Sequence, residues 1–133
     1  MGGHGVHACT DVTGFGFIGH LREMLGKNAM EITVDSTGVP VLPGSREAAA
    51  AGLIPAGMYR NRDFVGSLCE TGASVAQDLV DVLFDPQTSG GLLIAVEERV
   101  SHALVSELHG AGVTDAAVVA QVRNSKSQRI IIE

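Results

Sequence analysis

The stretch Cys9-Thr10-Asp11-Val12-Thr13-Gly14-Phe15-Gly16-Phe17-Ile18-Gly19 places an acidic residue just before a glycine-rich turn. Gly14, Gly16 and Gly19 match the GxGxxG pattern of dinucleotide-binding folds, and Asp35 follows near the spacing of a ribose-binding acid. That fingerprint requires a continuous apolar strand before its first glycine, whereas polar residues precede it here. The stretch therefore predicts a tight turn followed by a helix, and it does not by itself predict an NAD site.

The carboxylate of Asp11 favours a different chemistry for this turn. An uncompensated negative charge next to a pyrophosphate would be repulsive unless a cation lay between the two groups. Mg²⁺ commonly bridges carboxylates and phosphate oxygens, so Asp11 beside the glycines favours a metal–phosphate site over an NAD site. The motif alone supports equally well a second interpretation, in which the glycines only permit a tight turn that Asp11 caps.

A second candidate motif is Asp85-Pro86-Gln87-Thr88-Ser89-Gly90-Gly91. The hydroxyls of Thr88 and Ser89 can donate to an anion, and Gly90 and Gly91 allow backbone N–H groups to converge on it. Proline and glycine also form ordinary turns, and taken alone the motif favours that geometric role.

Other polar groups are interpreted as structural. Asp78, Asp81 and Asp85 fall at helical spacing, but we expect a solvated acidic edge rather than a metal cluster. Cys9 has no evident histidine and acid to activate it, so we expect a buried thiol. His20 lies at a helix start, where a structural role is favoured over an approach to phosphate.

The hydrophobic pattern predicts a mixture of helices and strands. Helices are predicted over residues 18–25, 46–51 and 97–109, and strands over residues 30–35, 80–84, 92–96, 116–122 and 129–132. Residues 55–66 are expected to form a loop, and the last two strands a hairpin around the polar turn 124–128. This mixture predicts an α/β or α+β layered domain.

Composition limits the classes of protein to which the chain can belong. Its 133 residues are 45% hydrophobic and only 4% aromatic, which suits one domain with an aliphatic core. The 17 glycines have no triplet period, which excludes collagen, and 18% charged residues with a positive mean hydropathy exclude a disordered chain. A net charge of −6 without a basic stripe argues against nucleic-acid binding, and no apolar run reaches the roughly 18 residues of a membrane span.

The first residues and the cysteines indicate the cellular compartment in which we expect the protein. Residues 1–6 contain no basic and apolar regions of a secretory signal, so we expect them to be junction residues before a domain over residues 7–133. Cys9 and Cys69 lie far apart, without the spacing of a disulfide framework or a zinc site. A cytoplasmic setting is therefore expected.

Four stretches in the same order resemble signatures of the selenophosphate synthetases (selenide, water dikinases). They are His7-Ala8-Cys9-Thr10-Asp11-Val12-Thr13-Gly14-Phe15-Gly16, Val39-Pro40-Val41-Leu42-Pro43-Gly44, Tyr59-Arg60-Asn61-Arg62 and Asp85-Pro86-Gln87-Thr88-Ser89-Gly90-Gly91-Leu92-Leu93. The resemblance covers nearly everything from about residue 7 onward, and it is to the C-terminal domain of that family. It implies a three-layer α/β/α domain with a mixed sheet and partial ferredoxin-like topology, within the aminoimidazole ribonucleotide synthetase-like superfamily.

The resemblance also implies a function. Enzymes of this family make selenophosphate from ATP, selenide and water, release AMP and phosphate, and require Mg²⁺. Their reactive Cys or selenocysteine, its neighbouring Lys and most ATP-binding residues lie in an N-terminal domain that this sequence lacks, and Cys9 does not match that nucleophile. The chain is thus expected to be inactive alone, with its own N-terminal domain as partner and a homodimer in the full-length enzyme.

Site residues carry over by motif. Asp11 matches the aspartate that helps hold the metal ions bridging the ATP phosphates, and its partner carboxylates would come from the N-terminal domain. The residues that the resemblance places in the loop or near the interdomain cleft are Thr13, Gly14, Gly16, Thr88, Ser89, Gly90 and Gly91. Two alternatives stay open: another ATP-dependent synthetase or kinase of the superfamily, and a dinucleotide-binding or interaction module that uses Gly14, Gly16 and Gly19.

Overall fold

A computed structural model describes residues 5–87 and 90–133 of the chain. Helices α1 to α5 span Gly16–Leu25, Ser45–Ala50, Ala56–Val65, Gln77–Leu83 and Glu98–Gly110, and short 3₁₀ turns span Ser36–Gly38 and Gly66–Leu68. Strands β1 to β6 span Val6–Asp11, Met30–Val34, Cys69–Thr71, Leu92–Val96, Ala120–Asn124 and Arg129–Ile132. The predicted α/β class is confirmed, and the four-stranded sheet is mixed.

The larger sheet has the strand order β3-β6-β2-β5. Strand β6 runs parallel to both of its neighbours, and β5 runs antiparallel to β2. The predicted hairpin of the last two strands is therefore wrong, because β2 lies between them. A strand with neighbours on both sides buries more apolar surface than a hairpin arm, and Ile130 and Ile132 are fully buried in β6.

A separate two-stranded ribbon is formed by β1 and β4, which pair antiparallel with Asp11 opposite Leu92. Strand β1 has β4 as its partner and no second neighbour in the described part of the sheet. Its side chains alternate, so that Ala8 and Thr10 are half-buried while Cys9 is exposed. The expectation of a buried Cys9 thiol is wrong, because the ribbon leaves that face of β1 uncovered.

The predicted loop over residues 55–66 and the predicted strand over residues 80–84 are both wrong, because each segment is largely helical. Residues 55–66 contain α3, whose buried face repeats at three- and four-residue intervals through Met58, Asn61 and Val65. Residues 80–84 belong to the end of α4 and the residue after it, and Leu79, Val80 and Leu83 form the buried face of that helix. The sequence predicted neither helix. The buried face of α3 includes the polar residue Asn61, and the apolar run in α4 is short, so neither segment shows a clear 3.6-residue period.

The other predicted elements are present, several of them with shifted bounds, and the strand predicted over residues 116–122 is β5, which spans Ala120–Asn124. Helix α1 ends at Leu25, where Gly26 adopts a φ of 56°, and α5 is shifted by one residue from its predicted bounds. Helix α2 starts at Ser45, one residue before its predicted start, and Gly44 is its N-cap residue.

The core is mostly aliphatic, as the low aromatic content predicts. Helix α1 packs against α3 and against β1, and its residues Ile18, Leu21 and Leu25 are buried. The main cluster joins this face to the sheet through Ile32, Val34, Ile130 and Ile132. The loop between β1 and α1 is thus attached to a rigid helix at the point where the candidate site lies.

Candidate functional site

The structure brings the two candidate motifs of the sequence together. The ribbon pairs β1 with β4, and their loops continue the contact: the Val12 N–H donates to the Gly91 carbonyl at 2.9 Å, and the Gly90 N–H donates to the Val12 carbonyl at 2.8 Å. The Gln87 N–H also donates to the Thr13 carbonyl at 3.1 Å. Residues 12 and 13 are therefore joined by backbone hydrogen bonds to residues 87, 90 and 91.

Asp11 is the last residue of β1 and lies at the edge of this bonded region. Its side chain is exposed, and no described residue donates a hydrogen bond to its carboxylate or forms an ion pair with it. Within residues 5–87 and 90–133 no three His, Cys, Asp or Glu side chains are grouped to hold a metal ion. Asp11 is thus an open carboxylate with free oxygen ligands, and not part of a complete metal site.

The backbone after Asp11 is held by a buried histidine. His20 on α1 is 4% exposed, and its Nε2 lies 2.9 Å from the Thr13 backbone nitrogen and 3.2 Å from the Thr13 Oγ1. Its Nδ1 lies 2.9 Å from a carboxylate oxygen of Glu23, one helical turn further on. This arrangement gives His20 the structural role that the sequence favours.

Asn61 on α3 fixes the same loop from the other side. Its side-chain amide is 6% exposed and donates to the carbonyls of Gly14 and Phe84, both at 2.9 Å. The loop after Asp11 is in this way joined to the end of α4 through a third element. Asn61 belongs to the Tyr59-Arg60-Asn61-Arg62 motif, but the sequence predicted no role for it.

Gly16 lies where no side chain fits. Its φ is 74°, and a Cβ atom there would lie 2.9 Å from the carbonyl carbon and oxygen of Phe84 and 3.0 Å from the carbonyl oxygen of Asp85. The glycine therefore permits a close approach between the start of α1 and the end of α4. Burial raises the pKa of the nearby Asp85 carboxyl above its usual range.

A cleft of about 880 Å³ opens beside this loop. Its lining is mostly apolar and consists of Thr13, Gly14, Phe15, Pro55, Ala56, Gly57, Arg60, Asn61, Phe64 and Pro86. The Phe15 and Phe64 rings stack with centroids 5.4 Å apart. The guanidinium of Arg60 is exposed and forms no hydrogen bond or ion pair with a described residue, so a cation is available at this cleft. The sequence predicted no role for Phe15, Arg60 or Phe64, although Arg60 belongs to the Tyr59-Arg60-Asn61-Arg62 motif.

The predicted site residues occupy different parts of this region. Thr13 and Gly14 line the cleft, and Gly16 lies buried behind it. Gly90 and Gly91 are exposed and pair with Val12, whereas Thr88 and Ser89 lie outside the described residues.

The acidic residues near α4 do not form the solvated edge that was expected. Asp81 is 8% exposed, and its carboxylate accepts from Arg62 at 2.7 Å and from Gln77 at 2.8 Å. Asp78 accepts from Arg46 at 2.7 and 3.2 Å, and this arginine lowers the pKa of the Asp78 carboxyl. The expectation is wrong because residues 77–83 form a helix whose inner face carries Asp81.

The GxGxxG match does not have the surroundings of a dinucleotide fold. In that fold the glycines connect a strand and a helix of a parallel βαβ unit. Here β1 pairs antiparallel with β4, and the next strand, β2, belongs to the other sheet. Of the three glycines, Gly16 is the one that permits the close approach described above, whereas the Cβ position of Gly14 is open.

Comparison with known families identifies this architecture. Residues 1–133 match the family described as AIR synthase related protein, C-terminal domain. The chain belongs to this family. It is 48% identical over 133 residues to a selenide, water dikinase of Pelobacter propionicus, covering 100% of this chain and 38% of that protein. The resemblance to the C-terminal domain of selenophosphate synthetases, inferred from four motifs, is confirmed.

Two further relatives have the same name in other organisms. The selenide, water dikinase 2 of Peptoclostridium acidaminophilum is 39% identical over 134 residues, which cover 99% of this chain and 38% of that protein. The selenide, water dikinase of Treponema denticola is 49% identical over 105 residues, covering 77% of this chain and 29% of that protein. The matched regions thus cover 29–38% of the length of these curated relatives. None of the helices in the described ranges has the length and apolar character to cross a membrane.

Proposed function

We propose that this chain is the C-terminal domain of an ATP-dependent selenophosphate synthetase, which converts selenide, ATP and water into selenophosphate, AMP and phosphate. The domain would span residues 7–133, with residues 1–6 as junction residues, and would pair with an N-terminal domain of the same protein. Identity of 48% to a selenide, water dikinase over the whole chain supports this assignment. The observation that carries it is the open carboxylate of Asp11 beside the glycine loop.

Asp11 is the residue of this chain that would hold a magnesium ion. An exposed carboxylate without a described partner suits a cation that takes oxygen ligands. One carboxylate binds Mg²⁺ weakly, so the proposal assigns the other ligands to the N-terminal domain and to the ATP phosphates. When bound, the ion neutralises the charge that phosphoryl transfer concentrates on the phosphate oxygens.

The remaining residues would bring backbone close to the nucleotide. Thr13, Gly14 and Gly16 shape the loop after Asp11, and Gly90 and Gly91 lie against Val12 without side chains that obstruct an approach. The proposal places Thr88 and Ser89 in the same cleft between the domains. Together these segments would close one side of the ATP site and exclude water from it.

Three consequences belong to the proposal. The chain alone would have no activity, because the reactive Cys or selenocysteine and its Lys would lie in the N-terminal domain. The full-length enzyme would be a homodimer that forms mainly through that domain. It would act in the cytoplasm, without nucleic-acid or membrane partners.

A domain exchange tests the function. In the Pelobacter propionicus selenide, water dikinase, the matching region is replaced by this chain, and selenide-dependent formation of AMP from ATP is measured. We expect an active chimera, in which Asp11→Asn lowers turnover at least about 100-fold through loss of a metal ligand. The matched control is Asp115→Asn, which removes the same charge from an exposed loop after α5. A folded but inactive chimera, or full turnover with Asp11→Asn, contradicts the proposal.

Another ATP-dependent activity of the superfamily is the second candidate, since the matching family is described as related to AIR synthase and its description does not name selenide. In that case the exchanged enzyme would remain folded but would not form AMP when selenide is supplied. ATP consumption that does not depend on selenide would favour this alternative.

A further inference from the structure

We propose that His20, held in one tautomer by Glu23, is a positioning residue that sets the orientation of the loop after Asp11. The inference rests on the proposed metal role of Asp11. It concerns a side chain that does not touch Asp11 and that nothing in the family comparison assigns. His20 would act through Thr13, two residues after the carboxylate.

The hydrogen bonds specify the protonation of the ring. The Thr13 backbone nitrogen is a donor, so the Nε2 atom of His20 at 2.9 Å must accept and cannot carry a proton. The ring proton therefore lies on Nδ1, where it donates to the Glu23 carboxylate at 2.9 Å. A carboxylate beneath a buried imidazole in this way selects the tautomer whose free nitrogen faces the loop.

The Thr13 residue is held on both sides. Its N–H donates to His20, and its carbonyl accepts from the N–H groups of Gln87 at 3.1 Å and Gly16 at 3.1 Å. The peptide units on either side of Thr13 are thus fixed by three residues, of which Gly16 and His20 belong to α1 and Gln87 follows α4. The β1–β4 pairing holds Asp11 and Val12 on one side, and the bonds at Thr13 hold the chain on the other, so both together set the direction of the Asp11 carboxylate.

The surroundings preserve this arrangement. The Phe15 ring packs edge-on to the imidazole, with centroids 5.6 Å apart at 66°, and stacks in turn on Phe64. His20 is therefore shielded from water, which would otherwise compete for the Thr13 N–H. A buried hydrogen bond to a single acceptor is sensitive to removal of that acceptor.

The first test measures the loop directly in this chain. Nitrogen NMR of His20 should show an unprotonated Nε2 and a protonated Nδ1, and the Thr13 amide should be protected from hydrogen exchange. His20→Leu keeps an apolar side chain without the acceptor, and we expect Thr13 exchange to rise roughly tenfold. His20→Gln places an amide oxygen near the Nε2 position, and it should restore most of the protection. The opposite tautomer, or unchanged Thr13 exchange in His20→Leu, would overturn the inference.

The second test separates positioning from general stability. In the domain-exchanged enzyme, His20→Leu should raise the Mg²⁺ concentration needed for half-maximal turnover roughly tenfold, and His20→Gln should return it toward the unsubstituted value. His102→Leu, on the exposed face of α5, is the matched control and should change neither quantity. An equal loss in both His20 variants, without a change in Mg²⁺ requirement, would overturn the positioning role. The proposed function fails by a different result, which is full turnover with Asp11→Asn.

Discussion

The backbone N–H of Gly90 donates to the carbonyl oxygen of Val12 at 2.8 Å and joins two loops that are far apart in the sequence. The contact is close enough that a Cβ atom on Gly90 would lie 2.7 Å from that oxygen and 2.9 Å from the Val12 Cβ. Gly91, the next residue, has no heavy atom within 4 Å of the corresponding position. A side chain at residue 90 would therefore clash with Val12, whereas residue 91 has room for one.

Gly90→Ala should lower the free energy of unfolding by about 1–3 kcal/mol, because the added methyl group forces the two loops apart. Urea unfolding followed by circular dichroism measures the change. Gly91→Ala is the matched control and should stay within about 0.5 kcal/mol of the unsubstituted chain. Equal destabilisation by both variants would show that the Val12 contact is not the cause.

Gly16→Ala should destabilise the chain by about 3 kcal/mol. A positive φ disfavours any residue with a Cβ atom, and here that atom would also meet the carbonyl group of Phe84 at 2.9 Å. Gly14→Ala provides the control, because Gly14 is in the same loop but its Cβ position is open. Thermal unfolding of the two variants should separate them by several degrees, and coincident melting curves would contradict the close approach.

Asn61→Asp should cost about 2–4 kcal/mol. The amide donates to two carbonyls in a buried position, and a carboxylate there would present only acceptors to acceptors. Asn28→Asp makes the same substitution at an exposed site and should have little effect. Stability measured as a function of pH is informative, because protonation of the new carboxyl should recover part of the loss. A variant as stable as the unsubstituted chain would contradict the two hydrogen bonds.

Local patterns in the sequence predicted helices α1 and α5 well. Both have an apolar stripe of helical period and a glycine near the C-terminal end, and these are properties of the segment itself. The last two strands were recognised, but not their pairing, because β2 enters between them from a distant part of the chain. Pairing of that kind depends on tertiary packing, which a local pattern does not encode.

The residues of the candidate site could be predicted from their chemical types, but their proximity in space could not. Asp11 and the two glycine-rich stretches were identified as separate motifs, and the β1–β4 ribbon brings them together. The hydrogen bond that Asn61 donates to the Gly14 carbonyl and the one that His20 accepts from the Thr13 N–H could not be foreseen, because each joins the loop to a helix. The prediction of a buried Cys9 thiol was wrong for the same reason, because the exposure of Cys9 depends on which elements pack beside β1.

The two cysteines should differ strongly in reactivity. Burial raises the pKa of the Cys69 thiol to about 11, so at pH 8 only about one molecule in a thousand carries the thiolate there, whereas Cys9 is exposed on β1. Iodoacetamide at pH 8 should therefore alkylate Cys9 first, as read by peptide mass spectrometry. In Cys9→Ser, labelling of Cys69 should be slow and should accelerate as the pH rises toward 11, because the reactive thiolate is gained in that direction. Unfolding in urea removes the burial and should let both thiols react alike, while rapid labelling of Cys69 in the folded chain at pH 8 would contradict its place beside β6.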